Sequence, residues 1–335
     1  MDTNEPQGIE KVRDPFEPFP GSSPIHPWIE LILCIAGSFA TVMFAGIGTF
    51  AMVYGAWRLF RPDENRGFLA VAGCLLPGII LCFVSWLDYG TLVLPCALCA
   101  LVIAKLLPGH LTITNVCLTI LGLAILMAGA DMLYAQSLGY GLESYSQAII
   151  DEIRNQTEAQ LSGTGTSVTA MASLDQMFEI IRLAWPFGYL MQAAIVVAFG
   201  CLGLALSQRL KYAQCYASFT RYDVPLWAVV LLIIGVICVA LPATENELST
   251  VLRMVGVNSL LVCRVLFFFQ GLAALLGIMD RRKFSGFTRV LILVLALFAE
   301  VWFFAICVFG LIDVWANFRK LGRSHVQTNP DTQQD

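Results

Sequence analysis

Long apolar stretches alternate with short polar connections from about residue 30 to residue 312. Each stretch approaches the roughly 20 residues that an α-helix needs to cross about 30 Å of hydrocarbon. Because backbone amides in lipid must bond within their own segment, we expect these stretches to be helices. The pattern predicts an all-α, polytopic transmembrane helix bundle of about eight spans, at 30–57, 67–86, 89–107, 112–135, 186–208, 224–242, 256–279 and 288–312.

The first stretch, 30–57, is long for one crossing. Its glycines would also allow a kinked helix or a tight two-helix turn; they are Gly37, Gly46, Gly48 and Gly55. The span count is therefore eight, give or take one.

Polar segments divide the chain into five parts. Residues 1–29 are rich in proline and mixed charge, so we expect a disordered lead-in. Residues 30–136 hold the first four spans, 186–320 hold four more, and 321–335 form a polar tail. Between the two sets, residues 137–185 contain two amphipathic helices, which we expect to lie along the outer membrane surface because the first is acidic.

Basic residues in most connections share one side, which the positive-inside rule makes cytoplasmic. They are Arg58, Arg61, Arg66, Lys105, Arg209, Lys211, Arg221, Arg281, Arg282 and Lys283. Eight spans would place both termini outside, yet Arg319, Lys320 and Arg323 follow the last span. Either the span count is odd or this C-terminal cluster is an exception.

Composition restricts the possible functions. Hydrophobic residues make up 58% of the chain and charged residues 13%, which is typical of an integral membrane protein, and the net charge of −4 argues against nucleic acid as a partner. Three histidines and the lack of an HExxH motif give no basis for an enzyme, a metal site or a cofactor. Cys96 and Cys99 form a C-x-x-C, which we interpret mainly as core packing.

The C-terminal third resembles a known family on three pieces of sequence. These are Val224–Trp227, Asn258 with Phe267–Ala273, and Gly310–Trp315 followed by Asn317–Arg319. The chain resembles the YybS-like family of predicted bacterial membrane proteins over 186–321, and it departs from that family at Arg264 and in its longer polar start. The resemblance implies a helical layout distantly similar to the substrate-binding membrane subunits of energy-coupling-factor transporters.

Two charges lie within apolar helices of the C-terminal region, Arg264 and Glu300. An isolated charge near a helix centre costs about 2.5 to 3.5 kcal/mol on insertion scales, which favours pairing. Measured from Lys283 at the intervening turn, their depths differ by only about 3 Å. We therefore predict an ion pair, either structural or part of a site for an anionic substrate or a proton.

Other polar residues are candidates for contacts or ligands. Asn258 and Gln270 would make a helix contact or bind a ligand, and a contact is favoured for Gln270 beside Gly271. Three residues near outer span ends would line an outward cavity with Arg264 and Glu300, or act as ordinary interfacial charges: Asp88, Asp131 and Arg182. The end of the last helix would dock a partner, or be anchored by a contact from Asp313 to Arg319 or Lys320; its residues are Asp313, Trp315, Asn317, Arg319 and Lys320.

These features favour two functions. The first is a transport-related, small-molecule-binding subunit of the bacterial inner membrane, which lacks a phosphate-binding G-x-x-x-x-G-K-[ST] motif and so needs a separate ATPase or other energising module. The alternative is a structural or assembly scaffold that binds other envelope proteins. Besides membrane lipid, either function would require protein partners.

Overall fold

The computed structural model describes residues 26–60, 66–84, 87–108, 113–162, 168–208, 219–241 and 247–319. Within these ranges the regular elements are all helices, which confirms the predicted all-α class. They are α1 (Pro27–Met43), α2 (Ala45–Leu59), α3 (Gly67–Phe83), α4 (Leu87–Leu106), α5 (Ile113–Ser137), α6 (Leu142–Ser162), α7 (Val168–Ser207), α8 (Trp227–Ala240), α9 (Glu247–Arg281), α10 (Gly286–Phe303) and α11 (Ala305–Ala316).

The helices form two compact units, Met1–Leu210 and Lys211–Asp335. The boundary differs from the predicted start of the C-terminal region at residue 186, which falls inside α7. Because α7 packs against α2, α4 and α5, it belongs to the first unit.

The first predicted span is two helices. Extended backbone at Phe44 ends α1, and α2 returns beside it as an antiparallel hairpin. A Cβ on Gly37 would lie 2.8 Å from the Gly48 carbonyl oxygen, so these glycines allow the backbones to approach closely. The two-helix turn is therefore correct and the single long span is not.

The core of the first unit lies among α1 to α5 and α7. A Cβ on Gly203 of α7 would lie 2.6 Å from the Phe50 carbonyl oxygen of α2, so those two helices are in close contact. Cys96 and Cys99 are buried in this core as free thiols. Their environment is apolar packing, in agreement with the interpretation favoured above.

The fifth predicted span continues the second amphipathic segment in one helix. At 40 residues, α7 is about 60 Å long, roughly twice the hydrocarbon thickness. Its N-terminal half pairs with α6 through Arg154 with Asp175 and Arg182 with Asp151, in antiparallel order. The second amphipathic segment is thus part of a helical hairpin and of the span, whereas the sequence predicted a separate surface helix.

The last predicted span is broken. Helices α10 and α11 are bent by 102° at Phe304, whose backbone is left-handed with φ of 51°. After α11, Arg281 at the end of α9 donates hydrogen bonds to the carbonyl oxygens of Phe318 and Arg319. Because α10 leaves from the same end of α9, the pair α10–α11 returns to where it began, which predicts a re-entrant pair and not a crossing span.

A re-entrant pair would remove the topological conflict within the second unit. Arg319 lies at the end of the unit that also carries Arg281, so the C-terminal basic cluster begins on the same side as the basic turn before α10. The single unbroken helix predicted over 288–312 is therefore wrong.

The predicted count of eight spans is not confirmed. Among the described residues, four helices are long and apolar enough to cross a membrane, α4, α5, α7 and α9, and a fifth would be counted if α10 and α11 were one span. Three shorter apolar helices are α1, α3 and α8.

Candidate functional site

A buried polar cluster in the second unit joins α9, α11 and the segment before α8. The side chain of Gln270 on α9 is fully buried. Its Nε2 donates to Asp313 Oδ2 at 3.0 Å and to Asp223 Oδ1 at 3.1 Å, and its Oε1 accepts the Val224 N–H at 3.0 Å. Gln270 therefore bridges three segments of the fold, with Asp313 on α11.

Arg319 completes this cluster. Its Nε and Nη2 donate to Asp313 Oδ2 at 3.1 and 2.8 Å, while its Nη1 donates to the carbonyl oxygens of Thr220 and Tyr222 at 3.0 and 2.6 Å. The Phe318 N–H donates a hydrogen bond to Asp313 Oδ1 at 2.9 Å. The structure thus makes the Asp313–Arg319 contact, and it ties the chain after α11 to the chain before α8.

The two carboxylates of the cluster differ in exposure. Arg319 Nη2 lies 2.8 Å from Asp313 Oδ2 and 3.7 Å from Asp223 Oδ1. The side chains of Asp313 and Arg319 are 0% and 3% exposed, whereas that of Asp223 is 29% exposed. Asp223 is therefore the carboxylate of this cluster that solvent reaches.

Helices α9 and α11 touch through glycines beside this cluster. A Cβ on Gly310 would overlap the Phe267 carbonyl oxygen, and a Cβ on Gly271 would overlap the Ile306 carbonyl oxygen. Only glycine permits this approach, which brings Asp313 within reach of Gln270.

The break at Phe304 contains the two intramembrane charges singled out by the sequence. Glu300 Oε2 accepts the N–H groups of Ile306 and Cys307 at 2.8 and 3.1 Å. The Arg264 guanidinium carbon lies 4.4 Å from the centroid of the Phe304 ring. The two side chains meet at the break but do not form the predicted ion pair.

The reason is the break itself. The first N–H groups of a helix have no intrahelical acceptor and carry partial positive charge, so α11 attracts the Glu300 carboxylate. Arg264 is exposed and contacts an aromatic face instead, as a cation–π interaction. The prediction assumed an unbroken last helix, in which those N–H groups would have been occupied.

The remaining C-terminal candidates are dispersed. Asn258 donates to the Met254 carbonyl oxygen in its own helix at 2.7 Å. Asn317 ends α11 in a left-handed conformation with φ of 44°, and Trp315 is 62% exposed. Lys320 lies outside the described residues.

In the first unit, Asp131 of α5 and Arg182 of α7 both lie near the junction of α5, α6 and α7. The Tyr189 hydroxyl donates to Asp131 Oδ2 at 2.8 Å. Arg182 pairs with Asp151, and Gln147 Nε2 donates to its carbonyl oxygen at 3.1 Å. The side chain of Asp88 lies outside the described residues.

Sequence reasoning missed Asp151, Gln147, Tyr189 and Asp223 as partners. Asp223 stands directly before the Val224–Trp227 piece that carried the family resemblance, which was the only local signal for it. The others sit on amphipathic helices whose mutual register no sequence pattern specifies.

Ion pairs also join α6 to α7 nearer the connection between the two helices. Arg154 Nε lies 2.7 Å from Glu158 Oε1, and its Nη2 lies 2.5 Å from Asp175 Oδ1. The hydrogen bond to Glu158 and the neighbouring carboxylate charges raise the pKa of Arg154 above its usual value. In the described part of the chain, no group of three or more His, Cys, Asp and Glu side chains is arranged to hold a metal ion.

Comparison with known proteins places the chain in a family. No curated protein and no solved structure gives a significant match. The YybS-like and energy-coupling-factor resemblances have no support from these comparisons and stay predictions. A family model described as "Predicted membrane protein (DUF2232)" matches residues 29–314. The chain therefore belongs to the DUF2232 family of predicted membrane proteins.

Proposed function

We propose that this protein is a transport-related subunit of the bacterial inner membrane that binds a small polar molecule or ion and relies on a separate energising module. The observation that carries the proposal is the half-helix α11, which has ionisable groups at both ends. Glu300 binds its N-terminal N–H groups, and Asp313 with Arg319 forms the buried cluster at its C-terminal end.

Such an arrangement suits transport. Ionisable side chains within membrane helices are expensive and usually mark ion or substrate pathways. Transporters commonly build their sites from broken helices, whose free backbone groups and nearby charges bind the cargo. The break at Phe304 and the charged end at Asp313 provide both features within one unit.

Asp223 is the residue through which a ligand would engage this cluster. Of the three charged side chains Asp313, Arg319 and Asp223, only that of Asp223 is partly exposed, at 29%. A cation, or the cationic group of a small molecule, would be attracted to this carboxylate. The expected cargo or coupling species of this site is therefore positively charged.

The test is gentle purification of the tagged full-length protein, followed by mass spectrometry of retained small molecules and proteins. We expect a bound cationic metabolite or an ATPase module with the wild type, and at least tenfold less cationic ligand with Asp223→Asn. Asp280→Asn is the matched control, because Asp280 is a partly exposed carboxylate paired with Arg289 at 2.6 Å outside the cluster. Recovery of neither a ligand nor an ATPase would contradict the proposal.

The scaffold remains a second candidate because of the α6–α7 hairpin. This hairpin extends the 60 Å helix α7 beyond an apolar layer and exposes Ile149, Ile153, Met177 and Ile180 by 43% to 56%. Exposed apolar side chains on an ion-paired hairpin suit contact with another envelope protein. Co-purification of envelope proteins that is lost on Met177→Asp, with no retained ligand, would favour this function.

A further inference from the structure

Two buried N–H donors on α7 have no acceptor among the described residues. They are Nε of Arg182 and Nε1 of Trp185. In folded proteins the large majority of buried side-chain polar atoms are hydrogen-bonded, and an unsatisfied buried donor costs about 1 to 3 kcal/mol. The two donors are one helical turn apart, so a single acceptor from outside the described residues could meet both.

These donors lie on the face of α7 that looks toward α5 and α6. Arg182, Trp185 and Tyr189 are three and four residues apart, so at about 100° per residue they share one side of the helix. Above Trp185, Arg182 contacts Asp151 of α6; below it, Tyr189 contacts Asp131 of α5. Trp185 therefore lies between two polar contacts of α7, one made to α6 and the other to α5.

Aromatic rings lie at this junction. The rings of Trp185 and Tyr189 meet edge to face with centroids 6.3 Å apart, and those of Tyr134 and Tyr145 do so at 5.9 Å. The Tyr134–Tyr145 contact joins α5 to α6, so all three helices contribute aromatic rings here. Several ring faces are thus available near a carboxylate, a combination that attracts organic cations.

The charge of the surroundings selects among possible acceptors. Asp131, Asp151 and Glu179 lie at this junction with the Arg182 guanidinium. The neighbouring Arg154 guanidinium pairs with two further carboxylates, Glu158 and Asp175, so negative charge is in excess. A free anion would satisfy the two donors but would be repelled by these carboxylates. A molecule that brings an anionic oxygen together with its own positive charge avoids that repulsion.

We propose that the α5–α6–α7 junction binds a zwitterion. Its anionic oxygen accepts from Arg182 Nε and Trp185 Nε1, and its ammonium group lies by Asp131 and the aromatic faces. Two sources present this chemistry, a free α-amino acid and the headgroup of a phosphatidylethanolamine lipid. The site lies wholly within the first unit and does not depend on the function proposed for α11.

The experiment uses the full-length protein in nanodiscs with 15N-labelled tryptophan, so that the indole N–H of Trp185 reports on its acceptor. Its resonance is assigned by its loss in Trp185→Phe. One arm compares phosphatidylglycerol with phosphatidylethanolamine nanodiscs, and the other adds glycine or leucine to phosphatidylglycerol nanodiscs, because the phosphatidylglycerol headgroup carries no positive charge. We expect a downfield shift of this resonance in one arm, which names the source.

Variants separate binding from folding. Arg182→Lys keeps the positive charge near Asp151 but removes Nε, so the probe that binds wild type should bind about ten- to a hundredfold more weakly. Trp227→Phe changes a tryptophan that is 58% exposed in the second unit and should leave binding unchanged. The other indole resonances show that each variant is folded.

A Trp185 resonance that moves with neither lipid headgroup nor amino acid would mean that an ordered water alone meets these donors, and the proposal would be wrong. An equal response of wild type and Arg182→Lys would also overturn it. If the Trp185 resonance does not respond while a ligand is retained at Asp223, only this inference fails. If the resonance responds and no ligand is retained at Asp223, only the proposed function fails.

Discussion

Replacing Arg319 with methionine tests whether the buried cluster holds the re-entrant pair in place. The Asp313 carboxylate is completely buried, and Arg319 supplies two of its hydrogen bonds, at 2.8 and 3.1 Å. In Arg319→Met the Asp313 carboxylate keeps its hydrogen bonds from Gln270 and the Phe318 N–H but loses its closest positive charge. Removing one partner of a buried ion pair costs about 3 to 5 kcal/mol, because the other charge stays buried.

The matched control is Arg289→Met, the same substitution in the same unit. Arg289 Nη1 lies 2.6 Å from Asp280 Oδ1, but the two side chains are 33% and 36% exposed. Water screens such a pair, so its loss should cost about 0 to 1 kcal/mol. The double variant Asp313→Asn with Arg319→Met removes the stranded charge and should recover much of the lost stability.

The assay is unfolding of the purified variants in mixed micelles of increasing dodecyl sulfate content, followed by helical circular dichroism. The expected order of the free energy of unfolding is wild type and Arg289→Met together, then the double variant, then Arg319→Met. If Arg319→Met and Arg289→Met lose the same free energy within about 1 kcal/mol, the cluster does not stabilise the second unit and the reasoning fails.

Two further predictions concern α11. Gly310→Ala puts a Cβ against the Phe267 carbonyl oxygen and should cost about 1 to 3 kcal/mol in the same micelle titration, whereas Gly286→Ala meets nothing within 4 Å and should be neutral. Equal effects would contradict the close α9–α11 contact. Glu300→Ala removes the acceptor of two N–H groups and should speed their hydrogen exchange about 5- to 30-fold, read by mass spectrometry of peptides covering α11. Unchanged exchange would show that Glu300 does not cap α11.

Hydropathy predicted where the helices are but not where they break. The stretches 30–57 and 288–312 stay apolar through Phe44 and Phe304, so composition carries no signal of either turn. Glycines did indicate close approach in the first stretch, and the two-helix alternative was the correct one there. In the last stretch the partner of Gly310 is Phe267, more than forty residues away, and that pairing exists only in the folded unit.

The candidate sites were predictable to a similar degree. Asp313, Arg319 and Gln270 stood out as polar residues in apolar or interfacial positions, and the structure joins them. Asp223 did not stand out, because an aspartate before a membrane span is ordinary and only its neighbours in space make it part of the cluster. The Arg264–Glu300 pair was argued from equal depth, which ignores the competing N–H groups that the break at Phe304 exposes.

The re-entrant path of α10 and α11 is tested most directly by the sides of two tags in the full-length protein. One epitope is inserted after Lys283, in the turn between α9 and α10, and another follows Asp335; each is probed by antibody in intact and in permeabilised spheroplasts. Both tags are expected on the same side, because Arg281 binds the carbonyl oxygens of Phe318 and Arg319. Tags on opposite sides would show that α10 and α11 cross as one span, and would contradict the re-entrant path.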